Sequence, residues 1–434
     1  MWAPGGVVQT YLPATPEGGI TLITSSSSTV PSKNVPSKTA EGLLTLPLSD
    51  FTQRFAKALP ALVRFVLGDA LRQHPKWGRL IPYSAEPYGT LPSLGHVCRP
   101  DIILTAEGPK ICEMDFVASG RGWLLASLPG RSDQLDFLQG FADWYASMDV
   151  DRACYATGTV TECRSETQFF AQSMRENLDF DITAVNIDAE PVVQGALIDR
   201  LFYRSELAQP LRLGSCRVVT AEPWLDSKMI FAMLHDPLMT DSLTESIGRE
   251  NLAFLRSVCI ESYPLKDALS HPQHETLGIR DRSQWVLKAT DVEKAWSWGS
   301  RSVVLGRTRT QEQWLDYLRG ARIDQNLLGR RPILQRFTKS LDFASVWNEA
   351  TQGRLATSDP TRFGKGSRAT SHLPARHPVT GRLGFFFPVS HGDNKTFTPR
   401  LGTLCLRQNP LTHMTDDAMS LAFRLSDEAH IVAS

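Results

Sequence analysis

Two pairs of charged residues lie close together in the first third of the chain. Arg99 precedes Asp101 by two positions, and Glu113 precedes Asp115 by two positions. Because residues two apart on a β-strand share a face, the members of each pair point the same way if both segments are strands. The intervening sequence AEGPK contains a turn glycine. It predicts that the two strands form a hairpin.

The register of this hairpin has two alternatives. A turn centred on Glu107 pairs Asp101 with Glu113, and a turn centred on Gly108 pairs Asp101 with Asp115. Both registers gather three carboxylates and one guanidinium on a single face. The opposite face is apolar and is expected to pack inward; its residues are Ile102, Leu104, Cys112 and Met114.

Three carboxylates on one face repel each other unless a cation neutralises them. Carboxylate oxygens are hard ligands that favour Mg²⁺ or Mn²⁺, and protein-bound Mg²⁺ usually also binds substrate phosphates. The arrangement therefore predicts a divalent metal together with a nucleotide. The alternative is a solvated face on which Arg99 only pairs with an acid.

The spacing of these residues resembles the metal-site signature of the glutathionylspermidine synthetase-like ligases, which are circularly permuted members of the ATP-grasp superfamily. The resemblance implies that Asp101, Glu113 and Asp115 hold Mg²⁺. It also implies that Arg99 is catalytic and stabilises the transferred phosphate and the acyl-phosphate. The chain departs from the family at Asp115, where the better-known synthetase has Asn, and in the following FVASGRG, which replaces Asp-Thr-Pro.

Later motifs extend the resemblance over roughly residues 98–337. It implies that the nucleotide is bound by two lysines, a hinge-strand glutamine and a phosphate loop in AWSWGSRSVV, namely Lys228, Lys288, Gln335, Gly299 and Ser300. The alternatives are solvated lysines, a glutamine buried with a backbone hydrogen bond, and a plain strand turn in place of the phosphate loop.

Two arginines are candidates for binding a substrate carboxylate. Arg204 lies in DRLFYRSEL, which resembles an Arg-bearing strand of the family, and Arg400 ends the polar loop before LGTLCLR. Guanidinium groups bind carboxylates bidentately. The alternative is that both are surface residues. His372, His377 and His391 occur in the late loops without metal-ligand spacing, and we expect them to be exposed to solvent.

The elements that position these residues follow from apolar periodicity. An amphipathic helix begins at Ser49 and is kinked or restarted at Pro60. Beyond the hairpin, strands alternate with helices, which is typical of α/β proteins. WVLKAT, SRSVVLG, RPILQRF, LGFFFPV and LGTLCLR are predicted strands of the second half. The fold class is thus α/β (α+β). The resemblance implies a multi-lobed, circularly permuted ATP-grasp-like fold with mixed and antiparallel sheets.

Composition and motif order divide the chain into four segments. Residues 1–43 form an N-terminal arm rich in Ser and Pro, and residues 44–225 form an α/β region with the hairpin. Residues 226–340 form an ATP-binding lobe, and residues 341–434 form a C-terminal region that completes the active site.

Overall composition excludes several function classes. The 434 residues include 46 basic and 46 acidic side chains, so the net charge of +0 argues against nucleic acid or an anionic membrane as the main partner. Seven scattered cysteines predict reduced thiols, and no long apolar run or signal peptide is apparent. We therefore expect a cytoplasmic protein.

Taken together, these features predict an ATP-dependent ligase that requires Mg²⁺. It would join a small-molecule carboxylate to an amine, with an amino acid or peptide as the expected substrate class, through an acyl-phosphate and with release of ADP. Two alternatives remain open at this stage: a phosphotransferase or kinase that uses the same lobes, and a nucleotide-binding protein without turnover.

Overall fold

The structure is a computed structural model of the chain. It describes residues 44–46, 48–83, 93–116, 120–128, 130–150, 152–157, 161–186, 197–199, 217–219, 222–270, 281–289, 303–328, 331–351, 379–391, 396–407 and 419–425. The predicted N-terminal arm, 1–43, lies outside the described residues. Within these ranges no helix is long and apolar enough to cross a bilayer.

The α-helices of the described residues are α1 Ser49–Leu67, α2 Asp69–Arg72, α3 Trp77–Leu80, α4 Arg121–Ser127, α5 Arg131–Ser147, α6 Thr161–Leu178, α7 Met229–His235, α8 Thr240–Ile247, α9 Arg249–Val258, α10 Leu265–Ser270, α11 Gln311–Leu328 and α12 Ala344–Thr351. The strands are β1 Leu44–Leu46, β2 Gly95–Thr105, β3 Gly108–Asp115, β4 Arg152–Thr157, β5 Asp181–Asn186, β6 Leu197–Asp199, β7 Arg217–Val218, β8 Ser262–Pro264, β9 Trp285–Lys288, β10 Val303–Leu305, β11 Ile333–Arg336, β12 Thr380–Gly384, β13 Phe387–Ser390, β14 Leu401–Arg407 and β15 Met419–Leu425.

The largest sheet has seven strands and draws on both ends of the described chain. Its order is β1-β15-β14-β12-β2-β13, with β3 paired to β2. All its pairs are antiparallel except β1 with β15. Strands of segment 44–225 and of segment 341–434 therefore share one sheet, although the four segments themselves stay a prediction of domain boundaries.

Helices cover both faces of the large sheet. On one face, Phe55 and Leu59 of α1 are fully buried with Ile102 of β2, in a core that also takes in α7, α8 and α9. On the other face, Val97 of β2 packs with Phe141 of α5 in a second core. Pro60 lies inside α1, which runs on to Leu67 without restarting. The predicted helix is therefore confirmed, and the expectation that it restarts at Pro60 was wrong.

A smaller antiparallel sheet carries the lysine and glutamine singled out in the sequence. Its order is β10-β9-β11-β8, and α10 and α11 pack on one of its faces around Trp285 and Trp314. Successive side chains of a strand alternate between faces. Leu287 and Leu334 belong to this helix-packed core, so Lys288 and Gln335 point to the opposite face, towards the hairpin.

A third, four-stranded sheet is parallel and has the order β5-β4-β6-β7. Its βαβ unit, β4-α6-β5, matches the predicted alternation of strand and helix. One predicted strand was wrong: LGFFFPV is divided into β12 and β13, because Phe385 and Phe386 carry the chain from one partner segment of β2 to the next. The fold class is α/β, with helices and antiparallel sheets, as the sequence predicts.

Candidate functional site

The hairpin of β2 and β3 has the register in which Asp101 faces Glu113 and Arg99 faces Asp115. The predicted turn centre at Glu107 gives this pairing, but the turn itself is tighter, because Thr105 pairs directly with Gly108. The extra residue is taken up by a β-bulge, where the register shifts between Asp101 and Ile102. A bulge leaves one residue of the longer strand unpaired and re-aims the side chains around it.

The bulged residue is Cys112, and this corrects one expectation about the apolar face. Ile111 and Met114, three positions apart, are buried on β3, whereas Cys112 is only half-buried. Strict alternation would have buried Cys112 and Met114 instead. The bulge thus places Ile111 and Met114 on the buried face of β3 and the carboxylates of Glu113 and Asp115 on the other face. It also leaves the Cys112 carbonyl oxygen able to accept hydrogen bonds from outside the hairpin.

Four ion pairs join the carboxylates of the hairpin to basic side chains, and the longest of them is Arg99 Nε to Asp101 Oδ1 at 3.7 Å. Arg99 Nη2 lies 2.8 Å from Asp115 Oδ2, and Lys228 Nζ lies 2.7 Å from Glu113 Oε1. Arg382 of β12 completes the set, with its Nη1 at 2.5 Å from Asp101 Oδ2. We call Arg99, Asp101, Glu113, Asp115, Lys228 and Arg382 the charged cluster.

Two residues of the small sheet reach the edge of the charged cluster. Lys288 Nζ donates to the Cys112 carbonyl oxygen at 3.0 Å, and Gln335 Nε2 approaches the same oxygen at 3.4 Å. Gln335 Nε2 also donates to Ser262 Oγ at 3.1 Å. Both side chains are buried. The predicted strand positions of Lys288 and Gln335 are therefore confirmed, and the bulge supplies the oxygen at which the two sheets meet.

Lys228 is the N-cap residue of α7 and is positioned by the residues immediately before that helix. It is the residue preceding Met229 and is buried. A short 3-10 helix, Pro223–Asp226, comes just before it, and Asp226 Oδ1 accepts the backbone N–H of Phe116 at 2.5 Å. That hydrogen bond ties the end of β3 to the lysine-bearing segment, which brings Lys228 next to Glu113.

The protonation states of the cluster follow from its charges. Burial alone would raise the pKa of Glu113, but the charges of Lys228 and Lys288 lower it to about 2. Burial alone would lower the pKa of Lys228, and the neighbouring Glu113 raises it instead. The pKa of Arg382 is likewise raised, because Asp101 outweighs the effect of burial. Glu113, Lys228 and Arg382 are therefore ionised near neutral pH.

Gly120, the residue immediately before α4, lies against the charged cluster. Its φ is +104°, and a Cβ built on it would lie 3.7 Å from Arg99 Nη1. Glu166 of α6 accepts the N–H groups of Gly120 at 3.1 Å and of Gly122 at 2.8 Å. The cavity between Arg99, Asp101 and Gly120 measures only about 20 Å³. This volume suits a single water molecule, so a substrate requires these side chains to move apart.

The fit of a divalent metal can be tested on the donor set. The three predicted ligands offer only carboxylate oxygens, which is the chemistry that Mg²⁺ prefers. Asp101 Oδ1 is buried and accepts no hydrogen bond, and Arg99 Nε is the protein cation beside it, at 3.7 Å. Within the described ranges, however, no three His, Cys, Asp or Glu side chains converge as a metal-binding group. The residues fit Mg²⁺ by type, each carboxylate is paired with a protein cation, and the metal assignment stays a prediction.

Of the other candidates from the sequence, Arg400 is the one that lies among the described residues. Arg400 is exposed immediately before β14, where its carbonyl oxygen accepts the N–H of Leu425 at 2.8 Å. Gly299, Ser300 and Arg204 lie outside the described residues. Their proposed roles remain predictions from the resemblance.

Sequence reasoning missed Arg382 because it lies 281 positions from its partner. The signal in the sequence was the position of Arg382 in the otherwise apolar segment GRLGFFFP. A charged residue on such a strand needs an acidic partner when it is buried.

A second polar group was also missed, on the opposite face of β2. His96 is fully buried; its Nδ1 lies 2.6 Å from His391 Nε2, and its Nε2 lies 2.7 Å from Glu222 Oε2. We call Glu222, His96 and His391 the histidine network. The expectation that His391 is exposed to solvent was wrong, since it is half-buried against His96. His372 and His377 lie outside the described residues.

Comparison with known proteins gives a fold relationship and no family membership. No protein-family model matches the chain, and no curated protein matches it. The structure is similar to that of a glutathione synthetase-like effector from Globodera pallida in its apo form, with a TM-score of 0.51, 10% sequence identity and 88% of each chain covered.

A protein named as a gamma-glutamylcysteine synthetase from Methylobacillus flagellatus matches at a TM-score of 0.36 and 8% identity, over 86% of this chain and 84% of that chain. That score is too low to bear on the fold. The Globodera pallida likeness shows a mixed α/β fold of the glutathione synthetase-like kind.

Proposed function

We propose that the protein is an ATP-dependent ligase that joins a carboxylate to an amine through an acyl-phosphate. The observation that carries the proposal is the charged cluster together with Lys288: four cations and three carboxylates meet where the small sheet touches the bulged hairpin. Phosphoryl transfer depends mainly on positioned positive charge and on exclusion of water. A set of four cations, with Lys228 and Lys288 buried and Arg99 and Arg382 half-buried, supplies the first of these requirements.

The residues divide into binding and transition-state roles. Lys228 and Lys288 bind phosphate oxygens of ATP, and Gln335 lies on the hinge strand beside the nucleotide. A substrate carboxylate oxygen attacks the γ-phosphorus, the bond to the bridging oxygen breaks, and ADP leaves with that electron pair. Arg99 donates to the transferred phosphoryl group, whose equatorial oxygens carry the developing charge. The amine then attacks the acyl carbon, and inorganic phosphate leaves as the amide forms and the amine loses a proton.

Asp101, Glu113 and Asp115 are the residues that would hold Mg²⁺, which neutralises phosphate charge when it is bound. This chain has Asp115 in place of the family's Asn, and Arg99 lies against Asp115 at 2.8 Å. Arg99 therefore has to leave Asp115 to reach a phosphate. When ATP and Mg²⁺ bind, the phosphates would replace the carboxylates as partners of the basic side chains, and Mg²⁺ would replace those side chains as the partner of the carboxylates. Each ion pair of the cluster would thus be exchanged for two new pairs of opposite charge.

The fold of the Globodera pallida protein supports the proposal, since that protein is named glutathione synthetase-like. The substrates of this chain are accordingly proposed to be a small carboxylic acid and an amine of the amino-acid or peptide class. Absence of a Ser or Cys nucleophile motif fits a route in which the activated species is the acyl-phosphate.

The test is a matrix of amino acids and short peptides as acid and amine, incubated with ATP and Mg²⁺. ADP release is followed together with mass spectrometry of the products. A ligase yields ADP, phosphate and an amide in equal amounts. A stable phosphorylated product would instead identify a phosphotransferase. No ADP release with any pair, from a preparation that binds ATP, would identify a nucleotide-binding protein without turnover.

A further inference from the structure

The segment 222–228 connects the two polar groups on the opposite faces of β2. At its start, Glu222 belongs to the histidine network, and its Oε2 lies 2.7 Å from His96 Nε2. At its end, Lys228 belongs to the charged cluster, and its Nζ lies 2.7 Å from Glu113 Oε1. The place of the lysine can therefore depend on a contact made at the other end of the segment.

Backbone hydrogen bonds leave this segment little freedom. The short 3-10 helix occupies its middle, and the hydrogen bonds continue from that helix into the first turn of α7. Each bond runs from an N–H group to the carbonyl oxygen three residues earlier: Leu225 to Glu222, Ser227 to Trp224, and Ile230 to Ser227, at 3.0–3.1 Å. Because this hydrogen-bonded run joins Glu222 to Lys228, a displacement of the first residue is passed on to the second.

Both ends of the segment are anchored by buried polar contacts. His96 is fully buried, Lys228 is buried, and the side chain of Glu222 is only 13% exposed. Trp224 and Leu225 add apolar contacts in the core that they share with α1. Apolar contacts have no preferred direction, whereas a hydrogen bond to a carboxylate holds its partners at a set distance and angle. The orientation of the first half of the segment is therefore set at Glu222.

The charge of Glu222 fixes the direction of the hydrogen bonds in the histidine network. Burial alone would raise the pKa of Glu222, but the hydrogen bond from His96 lowers it below its usual value, so the carboxylate is ionised near neutral pH. An ionised carboxylate only accepts hydrogen bonds, which makes His96 Nε2 the donor. In a neutral His96 ring, Nδ1 is then an acceptor, and His391 Nε2 donates to it at 2.6 Å. Glu222 is thus the acceptor at the end of a chain of two histidine rings.

We propose that Glu222 is a positioning residue of the ligase site: held by His96 on one face of β2, it sets the place of Lys228 on the other face. The inference rests on the proposed function, in which Lys228 binds phosphate oxygens of ATP. Glu222 acts through the backbone of the segment and not by contact with the phosphate. A lysine that is held in place before ATP arrives loses less freedom on binding, so the contact of Glu222 with His96 strengthens ATP binding.

A double-mutant cycle on ATP binding tests this coupling. Calorimetric titration with ATP and Mg²⁺ should give about fivefold weaker binding for Glu222→Ala, a partial loss because Asp226 still accepts the N–H of Phe116. The same change should have no further effect in a Lys228→Met background and its full effect in a Lys288→Met background. A loss of the same size in the Lys228→Met background would overturn the inference, because Glu222 would then act independently of Lys228.

Two further variants separate positioning from a general loosening of the fold. Glu222→Gln loses the charge but keeps an oxygen that accepts from His96, so it should bind ATP within about twofold of the wild type. Tyr83→Phe is the matched control: it removes one hydrogen bond, to the Val66 carbonyl oxygen at 2.7 Å, from a ring whose centroid lies 5.8 Å from that of Trp224. It should leave ATP affinity unchanged. A loss for Tyr83→Phe equal to that for Glu222→Ala would overturn the inference.

Amide hydrogen exchange of the full chain without ATP gives a readout that is independent of the ligase proposal and of any Lys228 variant. Glu222→Ala should speed the exchange of Ile230 and Phe231, whose N–H groups donate to Ser227 and Lys228, by about threefold or more. Exchange in β11 serves as the internal reference and should not change. Unchanged exchange at Ile230 and Phe231 would overturn the inference. Faster exchange there, in a protein that does not bind ATP, would confirm that Glu222 holds the segment and would refute the ligase proposal.

Discussion

The two faces of β2 show two different ways to bury polar groups. On one face, the charged cluster joins permanent ions, with Lys228 and Glu113 2.7 Å apart. On the other face, the histidine network joins His96 Nδ1 to His391 Nε2 at 2.6 Å by a hydrogen bond whose donor depends on the tautomers of the two rings. Ion pairs of Arg and Lys with carboxylates keep their charges from about pH 5 to pH 9. His391, whose pKa is lowered to about 4, changes its charge below that range.

Because the polar groups differ, the two faces of β2 are expected to be sensitive to different changes in solution. The charged cluster responds to ions that compete for its partners, which is what a phosphate-bearing substrate does. The histidine network responds to acid, because burial and the neighbouring His96 oppose the protonation of His391. Each of the following predictions breaks one of the two arrangements and leaves the other in place.

The largest effect is expected for Lys228→Met. Lys228 is buried, so its removal leaves the carboxylate of Glu113 without its closest cation. Breaking a buried ion pair in this way costs about 3–5 kcal/mol. Urea unfolding should show a loss of this size in the free energy of unfolding.

The control for Lys228→Met is the double variant Lys228→Met with Glu113→Leu, in which neither charge remains. Replacing both partners by apolar groups is often neutral or stabilising. The double variant should therefore recover most of the lost stability. A double variant as unstable as the single one would show that Lys228 stabilises the fold by packing and not by its charge.

The next effect is a pH dependence that arises from the other face. Burial and the adjacent His96 lower the pKa of His391 to about 4, against 6.5 in the unfolded chain, while Glu222 acts in the opposite direction and Arg64 of α1 in the same one. Between these two pKa values the unfolded state binds more protons, so stability falls as the pH falls from 6.5 to 4. The loss is up to about 3 kcal/mol, at 1.36 kcal/mol for each pKa unit.

Unfolding free energies at pH 7, 5.5 and 4.5 measure this dependence, with His391→Gln as the comparison. Burial alone would raise the pKa of Glu222, but the hydrogen bond from His96 and the charges of His96 and His391 lower it below its usual value. This net downward shift adds to the loss of stability at the acid end. The variant starts less stable but should lose less on acidification. Parallel curves for wild type and His391→Gln would remove the histidine network from the explanation.

Arg99→Lys tests the catalytic role that we propose for Arg99. Lysine keeps the charge but loses the planar fork that contacts two phosphoryl oxygens. An interaction that strengthens as charge develops acts on the transition state more than on ATP binding. We expect nearly unchanged ATP affinity and turnover reduced on the order of 10²-fold or more. Product formation and calorimetric ATP binding are measured on the same variant. Full turnover would exclude Arg99 from the mechanism, and a loss of ATP affinity alone would make it a binding residue.

The smallest effect is expected at an exposed ion pair, which serves as the reference for both faces. Arg54 and Asp50 lie four residues apart on α1, 3.7 Å from each other, and are 54% and 84% exposed. Such helix pairs contribute about 0.3–0.5 kcal/mol. Asp50→Asn should lower stability by no more than this, and 1 M salt should abolish the difference. A loss comparable to that of Lys228→Met would mean that burial does not set the size of these effects.

The residues of the hairpin were predictable because strand periodicity and turn position are local properties. The helix from Ser49 and the strand positions of Lys288 and Gln335 were predictable for the same reason. The bulge at Cys112 was not, since nothing in its own sequence distinguishes an unpaired residue from a paired one. Arg382 and His391 depend on partners 281 and 295 positions away, and no spacing rule within the sequence reaches so far.

Calorimetric titration of the full chain with ATP, with and without Mg²⁺, tests the central claim that the charged cluster and Lys288 handle a nucleotide. The account predicts binding with Mg²⁺, weakened at least tenfold when Lys288 is replaced by Met and unchanged when the exposed Lys57 of α1 is replaced in the same way. Absence of ATP binding at millimolar concentration by the folded wild type, or equal binding by Lys288→Met, would contradict it.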